Sequence, residues 1–352
     1  MFELDNRTDW SAALYPGWSR DGKRQQTLVF KVGYRFNPAG KLDPLPFPPI
    51  EEADRYRGDP ETSSLAVAGE IAPFKKGGEL LLYGSAHPGG PGRSVLQVKI
   101  SLRQRNNDFW SKELRVFDSR TWQRKLLAAI PGPPRVIEEP VPLVYENAYG
   151  GTDPANPEKT FPGNPVGVGF SQRGLRTKGL SLPQIECGPD FIASPASRVT
   201  PAGFGPLAPH WQPRCKQKVD IDEHAIAAGG CPWKNPPPES LYNTAPLDQR
   251  FDQPFDGELS LKLKGLVTDT PQDVLINLPE IRPLIQMEMQ ESSSALSAEC
   301  DTLIVHAERM EIYLIFRRAL PLSGKNNDNG SVILQDPASE TQKDRDRAEA
   351  MA

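Results

Sequence analysis

Nothing in the chain constrains its fold more than Val144–Phe170, VYENAYGGTDPANPEKTFPGNPVGVGF. It holds a double glycine, three Asp-Pro or Asn-Pro steps and a closing Gly-x-Gly-aromatic. Each proline removes a backbone donor and steers the residue before it away from the helical region, so no long helix or strand runs through. The glycines supply backbone angles that other residues avoid. An irregular loop of this length is usually functional or a scaffold for function. The flanking sequence has to decide which.

On both sides the pattern is β. Leu28, Phe30, Val32, Tyr34 and Phe36 alternate with Val29, Lys31, Gly33 and Arg35, the two-residue period of a half-buried strand over Thr27–Phe36. Four prolines between Pro44 and Pro49 predict an extended segment laid across the surface. Tyr56–Leu65 is polar and turn-like, Leu80–Tyr83 is a short apolar piece, and Ser94–Leu102 alternates again. The polar Arg103–Asn107 segment reads as a hairpin loop into Trp110–Phe117. After Phe170 the period fades. One short helix is expected at Asp222–Ala228, with Asp222 capping and Gly229 terminating it. Alternation returns at Leu259–Lys264 and Ile285–Met289, and Thr302–His306 with Met310–Arg317 predicts a hairpin. From Ser323 the chain turns polar around a short apolar island, Val332–Leu334, and reads as a mobile tail. The expected fold is mainly β: antiparallel sheets, sandwich- or barrel-like, with long Pro/Gly-rich loops and little helix. Residues 1–322 form one body, in which strands from the two ends share a sheet, and 323–352 form the tail.

Composition narrows the function classes. The 37 prolines are roughly twice average usage, yet 38% of residues are apolar, enough for a core. The formal charge of −4 and the lack of any basic run in the sequence give no footprint for nucleic acid. No apolar run approaches a membrane span, and the polar start MFELDNRTDW lacks the form of a signal peptide, so a cytoplasmic protein is expected. Four cysteines are too few for a disulfide scaffold at this length.

Three chemical readings of the central loop fail on a missing residue. Gly167-Val168-Gly169-Phe170-Ser171-Gln172 lacks the third glycine of a dinucleotide loop, and no lysine with Ser/Thr follows the glycines as a phosphate loop requires. Glu146, Asp153 and Glu158 offer carboxylates with no histidine nearby and no fixed spacing. The other reading is a buried scaffold whose glycines turn the chain and whose polar side chains satisfy backbone groups. Cys187, His210, Cys215, His224 and Cys231 are zinc-ligand types without the tight spacing of zinc sites, and His210 with Cys215 lacks a third, orienting group. The Gly330 region matches a calcium loop only at its glycine. Trp211 and Arg214 either anchor a partner or close the core, with the arginine paired to Asp248 or Glu146.

Several motifs follow one another in a recognisable order: TLVFKVGYRF, ADRYRGDPETSSL, YENAYGGTD, NPVGVGF, TPAGFGPLAPHWQPR, NTAPLDQR and DTLIVHAERMEIYLIFRR. In this order, from about Thr27 to Arg318, the chain resembles an uncharacterised-domain family of effector adaptors, or chaperones, of the bacterial type VI secretion system. It departs from that pattern at Lys218-Val219-Asp220, where relatives carry a glycine-threonine-tyrosine run. The resemblance implies a non-enzymatic protein that binds a cognate effector toxin and helps load it onto the secretion spike. Its further partners would be the spike-tip protein and the trimeric spike protein, with no cofactor, metal, nucleic acid or membrane. It draws attention to Glu146, Gly150, Gly151, Thr152, Asp153, Asn164, Pro165, Gly167, Gly169 and Phe170 as a central brace, and to Trp211, Arg214, Asp248 and Gln249 as scaffold or partner-binding residues. Readings from other classes are a hydrolase using Glu146, Asp153 or the His210–Cys215 region, and a structural spike component.

Overall fold

The Arg24–Phe36 strand organises the molecule, because both of its faces are covered. The structure, a computed structural model, describes residues 1–105, 107–126, 128–171, 179–188, 191–195, 197, 199–268, 273–289, 292–322 and 329–338. Gln172, Leu175, Lys325 and most of the expected tail (323–328, 339–352) lie outside them. Arg24–Phe36 lies in a seven-stranded sheet between Ser11–Trp18 and Glu311–Pro321, and the order continues through Glu299–His306, Gly78–Tyr83 and Arg250–Phe251. Leu42–Leu45 also pairs with it. All pairs are antiparallel except Glu299–His306 with Gly78–Tyr83, which run parallel. Strands from the two ends of the chain thus share one sheet, as expected.

The period-two pattern of this sheet separates two interiors rather than core from solvent. Leu28, Phe30, Val32, Leu80, Leu82, Leu303, Val305, Ile312 and Leu314 enter the main apolar core. The alternate residues Val29, Leu81, Ile304, Tyr313 and Ile315 form a second cluster. That second face also buries charge: Lys31 pairs with Glu70 at 2.6 Å, Lys75 with Glu79 at 2.6 Å, and Arg317 with Asp301. Buried charges persist only when paired and hydrogen-bonded, and here they hold the long loops onto the sheet.

Opposite the large sheet, a five-stranded antiparallel sheet runs in the order Ile185–Cys187, Asn107–Phe117, Val95–Gln104, Leu259–Lys264, Val274–Leu278. Its inward residues, among them Val98, Ile100, Leu102, Leu114, Leu261 and Ile276, complete the main core. The fold is mainly β with little helix; the one α-helix among the described residues is Glu223–Ala227. It is short, with the Asp222 carboxylate accepting from the Ala225 N–H at 3.0 Å and Gly229 at φ +70° beyond its end.

Two expectations are corrected and one is refined. Thr27–Phe36 is a central strand covered on both faces, and it begins at Arg24. The proline segment is extended and largely exposed as expected, but it starts as the strand Leu42–Leu45 and buries Pro48. Most consequentially, the apolar island of the tail is a strand: Gly330–Gln335 lies between Phe2–Asn6, which it pairs in parallel, and Leu284–Met289, antiparallel to it. With Ser292–Leu296 these form a four-stranded sheet that contributes Phe2, Ile285, Val332 and Leu334 to the main core. The folded body therefore does not end at residue 322.

Candidate functional site

The central loop closes on itself through its backbone. Tyr149–Gly150 pairs in parallel with Val168–Gly169, and Thr152–Asp153 pairs with Asn156–Thr160. Asn164-Pro165-Val166-Gly167 is a turn with proline at its second position, closed by the Gly167 N–H on the Asn164 carbonyl. The fully buried Asn164 side chain donates to the carbonyls of Tyr145 at 2.8 Å and Tyr149 at 3.1 Å, while the Asn164 backbone carbonyl accepts from the Gly151 N–H at 2.8 Å. Further backbone bonds run from Phe161 to Gly151, from Val168 to Ala148 and from Phe170 to Gly150, each 2.9 Å. Phe161 packs between Tyr149 and Phe170.

Gly151 has to be glycine. It sits at φ +85°, and a Cβ there would run into the Gly167 carbonyl oxygen. Valine at 151 would add a left-handed penalty of about 1–2 kcal/mol and an overpacking cost of about 1–3 kcal/mol. We expect Gly151→Val to lower stability by about 2–5 kcal/mol in urea denaturation. Gly205→Ala, where an added Cβ meets nothing within 4 Å, should stay within about 0.5 kcal/mol. Equal midpoints for the two variants would remove the brace reading.

The carboxylates of the loop are already engaged. Glu146 accepts from the Ser64 N–H at 2.7 Å and the Ser64 hydroxyl at 2.8 Å, which ties the loop to the ETSSL segment. Asp153 is buried and accepts from the Ala155 N–H at 2.9 Å, Thr152 shares a hydrogen bond with Thr160 at 3.0 Å, and Glu158 is exposed. These contacts cap and turn the backbone.

The remaining family-like segments pack behind the loop. Trp211 is completely buried, edge-on to Tyr145 at 5.5 Å, and donates from its indole to His210 Nε2 at 2.9 Å. It closes the core and is not an interface anchor. Arg214 donates to the Leu207 carbonyl at 2.6 Å, and burial lowers its pKa. The pairing of Arg214 with Asp248 or Glu146 is not found: Asp248 binds Lys112 and Glu146 binds Ser64. Tyr145 donates its hydroxyl to the Gly205 carbonyl, and its ring occupies the space a Cβ would need at Gly203.

Two buried charges hold the NTAPLDQR segment. The Lys112 ammonium donates to the Gly203 carbonyl at 2.6 Å, Gln249 Oε1 at 2.7 Å and Asp248 at 2.9–3.0 Å. Burial pulls its pKa below the ordinary lysine range, against the opposing pull of Asp248. Gln249 in turn donates to the carbonyls of Leu80 at 2.7 Å and Phe204 at 2.8 Å. Glu79 accepts from the backbone N–H groups of Thr244 at 2.8 Å and Ala245 at 3.1 Å, and from the Thr244 hydroxyl. Sequence reading missed Lys112 and Glu79: Lys112 falls on the same face as Leu114 and Val116 and Glu79 heads an unbroken apolar run, but a lone charged residue is ordinarily assigned to solvent.

Among the described residues no three His, Cys, Asp or Glu side chains are grouped to hold a metal. The sulfurs of Cys187 and Cys231 lie against backbone carbonyls, whereas Cys215, His210 and His224 are exposed.

What faces outward is a groove of about 1110 Å³ between the large and five-stranded sheets. A β-bulge between Asp108 and Trp110 sets Phe109 at its mouth, 46% exposed, where bulges commonly re-aim a side chain. Phe109 meets Phe251 at 5.1 Å, which meets Phe255 at 5.3 Å, and Trp110 stands edge-on to Phe251. Arg105 with Asp256 and Arg282 with Glu280 form ion pairs along the groove. No helix among the described residues is long and apolar enough to cross a membrane.

No curated protein and no solved structure matches the chain. A family model matches residues 21–317, which include every segment of the brace, both buried charge clusters and the groove's aromatic side chains. The chain therefore belongs to the family described as "Uncharacterized protein conserved in bacteria (DUF2169)".

Proposed function

We propose that this protein is a non-enzymatic effector adaptor of the type VI secretion system, which holds a toxin and hands it to the spike. The observation that carries this reading is the inward use of most of the polar motif residues. Glu146, Asp153, Asn164, Arg214 and Gln249 each hold the protein's own backbone. A catalytic site needs groups within reach of a substrate, and these are engaged elsewhere. The aromatic groove supplies the complementary feature, because exposed aromatic clusters beside paired charges are the composition of protein-binding hot spots. Its occupant would be apolar side chains of the effector, while the spike-tip and trimeric spike proteins would meet other surfaces. The order of sequence motifs supports the secretion-system assignment.

The test is co-expression with the toxin encoded beside this gene, followed by copurification and a secretion assay. The toxin is expected to copurify, and to lose solubility and export when this protein is deleted. Phe109→Ala should weaken the complex by about 2 kcal/mol or more while leaving the melting temperature unchanged. A toxin equally soluble and equally secreted without this protein would end the adaptor reading.

A further inference from the structure

We infer that the outward face of the five-stranded sheet docks an acidic polypeptide surface, a role beyond the adaptor reading and independent of it. With Val98, Ile100, Leu114 and Leu263 pointing into the core, the alternate positions point away from it. Those positions carry Lys99 and Arg103 on one strand, Arg115 on the next, and Lys262 and Lys264 on the third. Five cations are thus gathered on one side of a chain whose formal charge is −4. They are scattered in sequence, and only the strand register brings them together.

The register also places like charges side by side. Lys99 is directly opposite Lys264 on one neighbouring strand and opposite Glu113 on the other. Like charges directly opposite across a sheet are destabilising, so folding alone does not favour the Lys99–Lys264 pair. Lys262 is matched by Asp273 at 2.8 Å and Arg115 lies over the Phe191 ring at 4.1 Å, but neither Lys99 nor Lys264 forms an ion pair among the described residues. Ser101, Ser111 and Ser260 lie among these cations and keep the face low. At its end, two clefts of about 500 and 470 Å³ share Arg93, Gln97 and Lys264.

Charge complementarity selects the partner. A nucleic-acid backbone would bring evenly spaced phosphates against Glu113, in the same row as Lys99 and Lys264, and toward a chain of net negative charge. A protein surface can set carboxylates over the lysines and a cation over Glu113. Such faces act chiefly on encounter rate and specificity, and are screened by salt.

The test uses the purified full-length protein on immobilised poly-L-glutamate, with mixed-sequence duplex DNA as competitor. Retention is expected at low ionic strength and loss as salt rises. Lys99→Glu with Lys264→Glu should weaken binding by about tenfold or more. Lys218→Glu with Lys234→Glu, the same change of net charge at exposed sites elsewhere, should stay within about twofold. Lys99→Gln with Lys264→Gln should fall between. No retention at low salt, or equal losses in the two double reversals, would overturn the inference. So would tighter binding to DNA, or a low-salt self-association that the Lys99 and Lys264 changes abolish, since the face would then belong to nucleic acid or to a second copy. Because no toxin is present, failure here leaves the adaptor reading standing.

Discussion

A chain ending at Leu322 is expected not to fold. The cut removes Gly330–Gln335, an inner strand of the four-stranded sheet. Val332 and Leu334 are both fully buried in the main core, and burying such a side chain stabilises by about 1.5–3 kcal/mol. Those two residues alone approach half of a typical net stability of about 5–15 kcal/mol. The loss extends to the neighbours. Phe2–Asn6 has its register only with the missing strand, and Leu284–Met289 loses one of its two partners, leaving buried backbone groups without hydrogen bonds. The point-mutation form is Leu334→Asp, which places a carboxylate in the core, set against Ser331→Lys, a charge at a half-exposed position between Glu3 and Glu288. The truncated chain and Leu334→Asp should be insoluble or lack a cooperative urea transition, while Ser331→Lys should unfold near the wild-type midpoint. A truncated chain with an unchanged midpoint would show that this strand is dispensable.

This strand marks where sequence reading stops working. Long strands with sustained alternation were legible: Val95–Gln104 against Asn107–Phe117, and Glu299–His306 against Glu311–Pro321, pair as their patterns predict. The turns of the central loop were legible because glycine and proline act locally. The turn at Asn164–Gly167 and the positive φ of Gly151 depend on residues a few positions apart. Gly330–Gln335 was not, since three apolar residues in a polar segment gain their value only from partners about 330 and 50 positions earlier in the chain. The second interior was hidden for a related reason. Lys31, Glu79 and Arg317 sit at positions that alternation assigns to solvent, and only the pairing of distant charges makes their burial tolerable. The cationic sheet face is the converse case: ordinary surface lysines on three strands become a patch through register alone.

Glu79→Ala tests how much of the scaffold rests on that second interior. Glu79 has no exposed surface. Its carboxylate meets the Lys75 ammonium at 2.6 Å and accepts from the Thr244 and Ala245 N–H groups and the Thr244 hydroxyl. Alanine would leave the buried Lys75 ammonium with the Thr302 hydroxyl at 2.7 Å and two backbone donors without their acceptor. Removing one partner of a buried pair costs about 3–5 kcal/mol, and that loss is expected in urea denaturation. Glu79→Gln, which keeps the shape and one acceptor oxygen, should lose less. The pH dependence separates charge from shape. Burial raises the Glu79 pKa, but Lys75 and the backbone donors outweigh it and hold the carboxyl below its ordinary range. The unfolded chain therefore binds the proton first as pH falls from about 4.3, the ordinary glutamate value. The contribution of Glu79 is complete above that value and is lost as pH drops through the lower folded-state pKa. Denaturation midpoints measured from about pH 7 down to about pH 3 should fall more steeply for the wild type than for Glu79→Gln. Parallel slopes would mean that the Glu79 carboxylate does not carry the pairing. Because Glu79 holds Thr244 and Ala245, and Gln249 in the same segment holds Leu80 and Phe204, the effector complex that the adaptor proposal calls for should weaken only where stability falls. A Glu79 variant that kept its melting temperature and lost its cargo would move the binding surface from the aromatic groove to the NTAPLDQR segment.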